Sequence, residues 1–293
     1  MLLSLWVVPG EASCTSVLVL GRISDDPQSH YEQLQPLLDY VVPRMADVGI
    51  REGRILMARD AQQMASYLRR GRVDWLTETA GTAMALGQRS GAEPLLLTER
   101  NGEREYRSVF FVRNESPLRS LSDLKGRSLA LQSPLSTSAY LVPAMELLDH
   151  GLRPEILLTP SDTPARDSVG YVLARSELNI STYVHKGMVD AGVVSDIDWS
   201  RERSMPAAFR RDLRIIHRTE PYPRAIEMVR ADLEPRVRER LRQVLLQAAD
   251  DPQARPALEK FFGTSRFHPV DAVARQRLDH LKAALLRIRM EVE

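Results

Sequence analysis

Short apolar runs alternate with stretches of helical periodicity along most of this chain. Ser16–Gly21 and Arg54–Ala58 read as buried strands. Between them, Tyr31, Leu34, Leu38, Val41 and Met45 recur at the spacing of one helical face over residues 30–47. Ala61–Arg70 predicts a helix ending before Gly71, Val73–Leu76 a short strand, Thr82–Arg89 a helix stopped by Gly91, and Pro94–Thr98 another strand. Strands alternating with helices imply a parallel-rich sheet covered on both faces.

After a longer β run, Tyr106–Arg113, the same grammar begins again. Leu121–Gly126 predicts a short helix with a glycine stop, Ser128–Leu131 a strand, and Ser181–Val189 a helix feeding the strand Asp190–Val194. Leu213–Ile216 and Ala225–Arg230 are strands either side of the turn at Pro221–Pro223. Helical segments follow at Pro235–Ala249, at Pro256–Phe262 and from about Val270. In the last of them Leu278, Leu281, Leu285, Ile288 and Val292 repeat at 3-4 spacing, as in a coiled-coil seam or a helix packed on the first lobe. No repeat or low-complexity linker divides the 293 residues, which suits two lobes joined by extended crossovers.

Leu131–Gly151 carries the most chemistry. A strand end runs into a loop with four hydroxyl side chains and then a helix closed by Gly151. The first N–H groups of a helix lack intrahelical partners and bear a partial positive charge. The hydroxyls of Ser136, Thr137 and Ser138 add rotatable donors, so the tip suits an anion without any lysine. The plainer alternative is that Ser136 only caps its own helix. Pro143 either bends a helix that starts at Thr137 or opens a fresh one after a single turn.

The charge balance of +1 argues against nucleic acid as a partner. Only residues 125, 186, 260 and 282 are lysine, so nearly all of the positive charge is arginine. One cysteine, Cys14, excludes an internal disulfide and a cysteine metal site, and the six histidines lie scattered. No phosphate loop, nucleophile elbow or zinc signature is present, so neither cofactor nor metal is expected. The apolar start Met1–Val8, with small residues at Gly10 and Ala12, reads either as the remnant of an export signal over residues 1–14 or as a frayed terminus. A lipid anchor at Cys14 is disfavoured by Glu11.

Ser120-Leu-Ser-Asp-Leu-Lys-Gly126 followed by Ser133-Pro-Leu-Ser-Thr-Ser-Ala-Tyr-Leu-Val-Pro143 resembles the phosphonate-binding periplasmic protein family, solute receptors of ATP-driven importers. Gly71-Arg-Val-Asp-Trp75, Gly91-Ala-Glu-Pro94, Tyr106-Arg-Ser108 and Gly187-Met-Val-Asp-Ala-Gly192 match in the same order, over residues 15–280. The resemblance implies a type II periplasmic-binding fold: two α/β lobes with mixed, mostly parallel sheets, joined by two hinge crossovers. Residues 15–111 with 218–293 would form lobe 1, and 112–217 lobe 2. Ala139 replaces a usual glycine and narrows the space beside the anion. The usual Gly-Ser-His is absent, leaving Arg175 or Ser176 as substitutes.

The expected ligand contacts are Ser136, Thr137, Ser138 and Tyr140 with Arg175 from lobe 2, and Glu78 and Thr79 from lobe 1. Asp190 and Asp196 are added because acids near that strand would hold a ligand amine. The function implied is a monomeric periplasmic binding protein, not an enzyme, that presents a small oxyanion (phosphonate, phosphite or phosphate) to an ABC transporter permease. The alternative is a ligand-binding sensor domain of a membrane signalling protein.

Overall fold

The computed structural model describes residues 17–292, so the expected signal remnant and Cys14 lie outside the described residues. Two six-stranded sheets organise the chain. The first runs in the order Thr264–His268, Glu93–Arg100, Ala225–Val229, Trp75–Glu78, Val17–Ile23, Glu52–Ala58. Val17–Ile23 pairs parallel with both neighbours, whereas Ala225–Val229 inserts antiparallel between Glu93–Arg100 and Trp75–Glu78. The second runs Leu213–Arg218, Ser108–Arg113, Ala191–Ser195, Ser128–Leu131, Ser168–Leu173, Arg153–Ile156, and its last four strands are mutually parallel. Both sheets are therefore mixed, with their antiparallel members contributed by strands next to the crossovers or late in the chain.

Local sequence explains the elements. Asp26 accepts from the Ser29 N–H and Pro27 opens the helix Pro27–Val41, the two signals expected at an N-terminus. Leu34, Leu37, Leu38 and Val41 then fall on one buried face, against Leu18, Leu20 and Trp75 of the sheet. Each such side chain contributes roughly 1.5–3 kcal/mol when fully buried.

The chain passes between the sheets at Glu105–Tyr106 and Tyr222–Pro223, which pair with each other antiparallel as a small two-stranded ribbon. Ser108–Arg113 belongs wholly to the second sheet, so the first crossover comes about four residues before the expected boundary at 112. The helix Ala272–Glu291 makes a third connection. Its buried Leu278, Leu281 and Ile288 share one core cluster with Ala83 of the first lobe and Leu147 of the second. It touches both Ala80–Ser90 and Val142–Asp149, and Arg287 binds Asp149 at 2.6 Å. The leucine stripe is thus consumed inside the chain, against both lobes rather than the first alone.

Candidate functional site

The hydroxyl loop leaves the carboxyl end of Ser128–Leu131, the edge where open α/β sheets form their ligand crevice. It enters a wide turn, Thr137–Leu141, closed by a bond from the Leu141 N–H to the Ser136 carbonyl at 3.0 Å. A regular helix follows over Val142–Asp149, so Pro143 sits in a fresh first turn where its missing N–H costs nothing. Ser136 does cap this element: its Oγ accepts from the Ala139 N–H at 3.1 Å. Ala139 belongs to the core beside Ala130 and Val194, so its β-carbon does not narrow the crevice as expected.

The first lobe meets this loop directly. The Gly81 N–H donates to Thr137 Oγ1 at 2.8 Å, and Thr82 Oγ1 donates to the Leu135 carbonyl at 3.2 Å. Between the lobes lies a cavity of about 280 Å³, walled by Thr79, Tyr106, Ser133 and Ser136–Ser138 together with Arg100, Arg201 and Arg224. Burial pushes the Tyr106 phenol up, partly offset by hydrogen bonds with Thr137 and Ser138.

Arg100 ends the strand Glu93–Arg100 and is 8% exposed. Its Nη2 donates to Thr77 Oγ1 at 3.0 Å, and Thr77 donates to Glu227 Oε1 at 2.8 Å. Glu227, with no exposed surface, also accepts from Thr98 Oγ1 and Trp75 Nε1, each at 2.6 Å. Burial, and then the nearby Arg22, hold the Arg100 guanidinium down to about 10, while burial pushes the Glu227 carboxyl up. Three donors and a neighbouring guanidinium compensate that carboxylate within the core. Arg100 also stacks over Phe262, with Cζ 4.6 Å from the ring centre. Its Nε is buried without a hydrogen-bond partner among the described residues, as is Thr79 Oγ1. Two orphaned donors beside one cavity are what an anionic ligand would satisfy.

Arg224 stands just before the strand Ala225–Val229, which runs antiparallel, so its start reaches the same crevice edge. Its Nη1 donates to the Arg100 carbonyl at 2.8 Å. Burial, then Arg201, lowers its pKa. Two acids oppose these cations. Asp198 accepts from Ser195 Oγ at 2.6 Å, and Glu177 accepts from Gln132 Nε2 at 2.9 Å. Burial, and more weakly Asp198, raise the Glu177 carboxyl.

Of the expected contacts, Ser136, Thr137, Ser138 and Thr79 line this cavity, and the others do not. Tyr140 is buried in the core, edge-on to Tyr171 at 5.9 Å. Glu78 pairs with Arg22 at 3.5 Å and accepts from the Ile23 N–H. Asp190 precedes its strand and so lies at the amino end, away from the crevice, accepting from the Ser128 N–H and Oγ. Asp196 accepts from the N–H groups of Arg107 and Ile197, which pins it to the crossover. Arg175 is an exposed turn residue at φ 70°. Arg100, Arg201, Arg224, Glu177 and Asp198 were not anticipated. For Arg100 and Arg224 the signal lies in the strand pairing, not in the sequence: one closes a strand and the other precedes its antiparallel neighbour.

Comparison with known proteins agrees with this architecture. XAC2383 from Xanthomonas citri bound to chloride ion is 60% identical, with a TM-score of 0.89 over 94% of this chain and 99% of that one. The same protein bound to ATP gives 58% identity and a TM-score of 0.89 over 95% and 100%. PhnD1 from Prochlorococcus marinus in complex with methylphosphonate, at 17% identity and a TM-score of 0.64 over 93% and 99%, shares the fold, which is the type II periplasmic-binding fold. The family described as ABC transporter, phosphonate, periplasmic substrate-binding protein matches over residues 21–274, and the chain belongs to it.

Proposed function

We propose that this protein captures a phosphorus oxyanion between its lobes and releases it to the permease of an ABC importer. The observation that carries the reading is the convergence of Arg100, Arg201 and Arg224 with the Ser136–Ser138 hydroxyls on one inter-lobe cavity. As first residues of their turn, Thr137 and Ser138 also present N–H groups that no helical carbonyl accepts. The anions bound by the Xanthomonas citri relative, chloride and ATP, support an anion site in a closely similar chain. A ligand amine would meet Glu177 and Asp198, not Asp190. Export to the periplasm and action as a monomer belong to the same proposal. The sensor alternative drew on a free coiled-coil stripe, and that stripe packs on the core, with Leu278, Leu281 and Ile288 buried and Leu285 and Val292 partly so.

Thermal-shift screening of the full chain against phosphate, phosphite, methylphosphonate, ATP and sulfate tests this. A ligand at about 100 times its Kd stabilises by about 2.7 kcal/mol. Replacing Ser136, Thr137 and Ser138 together with Ala, or Arg224→Ala alone, should remove most of that shift. A shift untouched by both variants would place the ligand elsewhere.

A further inference from the structure

The cleft does not end at Arg201. A second cavity, of about 450 Å³, opens beside it and shares Ile197 and Arg201 with it. Its own walls include Asn101, Glu103, Trp199 and Arg218. The two chambers differ in chemistry. The inner one gathers three guanidinium groups against two acids, Glu177 and Asp198, with five aliphatic hydroxyls along its Ser/Thr loop and at Thr79, and two orphaned donors. The outer one has balanced charge: Arg201 and Arg218 face Glu103 and Asp196, and Oδ1 of the Asp196 carboxylate already accepts from two main-chain N–H groups. It also has an aromatic wall held in advance of any ligand. The Trp199 ring leans on Phe111 at 5.3 Å, and the Trp199 carbonyl accepts from Arg210 at 3.4 Å. A fixed aromatic side chain with a few polar groups and no net charge suits an uncharged organic group.

We infer that the outer chamber is a second subsite, which takes the organic body of a phosphate or phosphonate ester whose anionic head sits in the inner chamber. Arg201 stands at the junction and reaches both parts. This inference rests on the anion-binding reading above and narrows it: the solute class is an organic ester carrying an aryl or heterocyclic group, in preference to an inorganic anion. Small anions fill only the inner chamber.

The test uses the full chain and three probes: inorganic phosphate, methylphosphonate and phenyl phosphate, measured by calorimetry and by tryptophan emission. Phenyl phosphate should bind at least about tenfold tighter than the other two. It alone should shift the tryptophan emission through Trp199: Trp75 is fully buried, and a Trp6→Phe background removes the third tryptophan of the chain. Trp199→Leu should abolish the spectral shift. Both that variant and Arg218→Ala, at an exposed position that tolerates truncation, should collapse the ratio of phenyl phosphate to phosphate affinities toward one. Equal affinities for all three probes, or a preference that survives both variants, overturns the subsite while leaving the inner anion site standing. If none of the three probes binds, the anion-binding reading itself falls, and the subsite with it.

Discussion

Thr137 of the second lobe accepts a hydrogen bond from the main-chain N–H of Gly81 in the first, at 2.8 Å. The contact exists because residue 81 has no side chain. A β-carbon there would lie 2.8 Å from Leu141 Cδ2 and 2.9 Å from Thr137 Oγ1, both across the cleft. The loop proposed to offer donors to a ligand is therefore also a surface on which the two lobes touch.

Gly81→Ala is expected to wedge the lobes apart. Within its own helix the change is favourable by up to about 1 kcal/mol, because glycine is the poorer helix former. The penalty falls only on the closed form. Ligand affinity should drop at least about tenfold, and small-angle scattering should show a larger radius of gyration with ligand present than for the parent protein. An unchanged radius and unchanged affinity would mean that closure does not pass through this contact.

The alternating elements were legible because strands and helices write different periods into the chain, and the core stripe of Pro27–Val41 is one example. The hydroxyl loop stood out too, as a Ser-Thr-Ser run after a buried strand, although Ser136 also serves as the helix cap the sequence allowed. The arginines did not. In a chain whose basic residues are almost all arginine, Arg100 looks like any surface position until the strand pairing places it at the crevice. Asp190 and Asp196 misled for a related reason: both flank one strand, but only its carboxyl end faces the cleft, and there a main-chain cap took the acid.

Thr77 joins Arg100 to Glu227, accepting from the first and donating to the second. Thr77→Val keeps the shape and removes both bonds. Two buried charged groups each lose a partner, at a cost of about 1–3 kcal/mol in chemical unfolding. Affinity for the anion should fall as well, because Arg100 loses the tether that aims it. Thr77→Ser restores a hydroxyl and should recover most of both losses. If valine costs stability but not affinity, Arg100 is a structural residue only.

At the proposed anion site, Glu177 is expected to make binding depend on pH. Burial, and more weakly Asp198, raise its carboxyl above the ordinary value of 4.5. Below that value the group is protonated in folded and unfolded chains alike, and the stability it contributes is fully present. As pH rises through the raised value the group ionises in its buried place and that stability is lost. The same ionisation puts a negative charge beside the ligand. Affinity should therefore decline with rising pH, and the decline should be shallower in Glu177→Gln. Comparing parent and variant at each pH cancels the titration of the ligand itself. Parallel profiles would exclude Glu177 as the source.

Leu281, with no exposed surface, lies in the cluster that contains residues of both lobes. Its helix crosses from Asp271, which pairs with Arg104, to Arg287, which binds both Asp149 and the Leu148 carbonyl. Leu281→Ala should cost about 2–5 kcal/mol, the range for a buried leucine replaced by alanine. Because the helix packs on both lobes, neither should melt first: calorimetry should show a single transition moved to lower temperature. The same strap bears on function, since the lobes must part around it for a solute to enter. Loosening it should speed ligand dissociation as well as lower stability. Two resolved transitions, or an unaltered dissociation rate in stopped-flow measurements, would show that the helix belongs mechanically to one lobe.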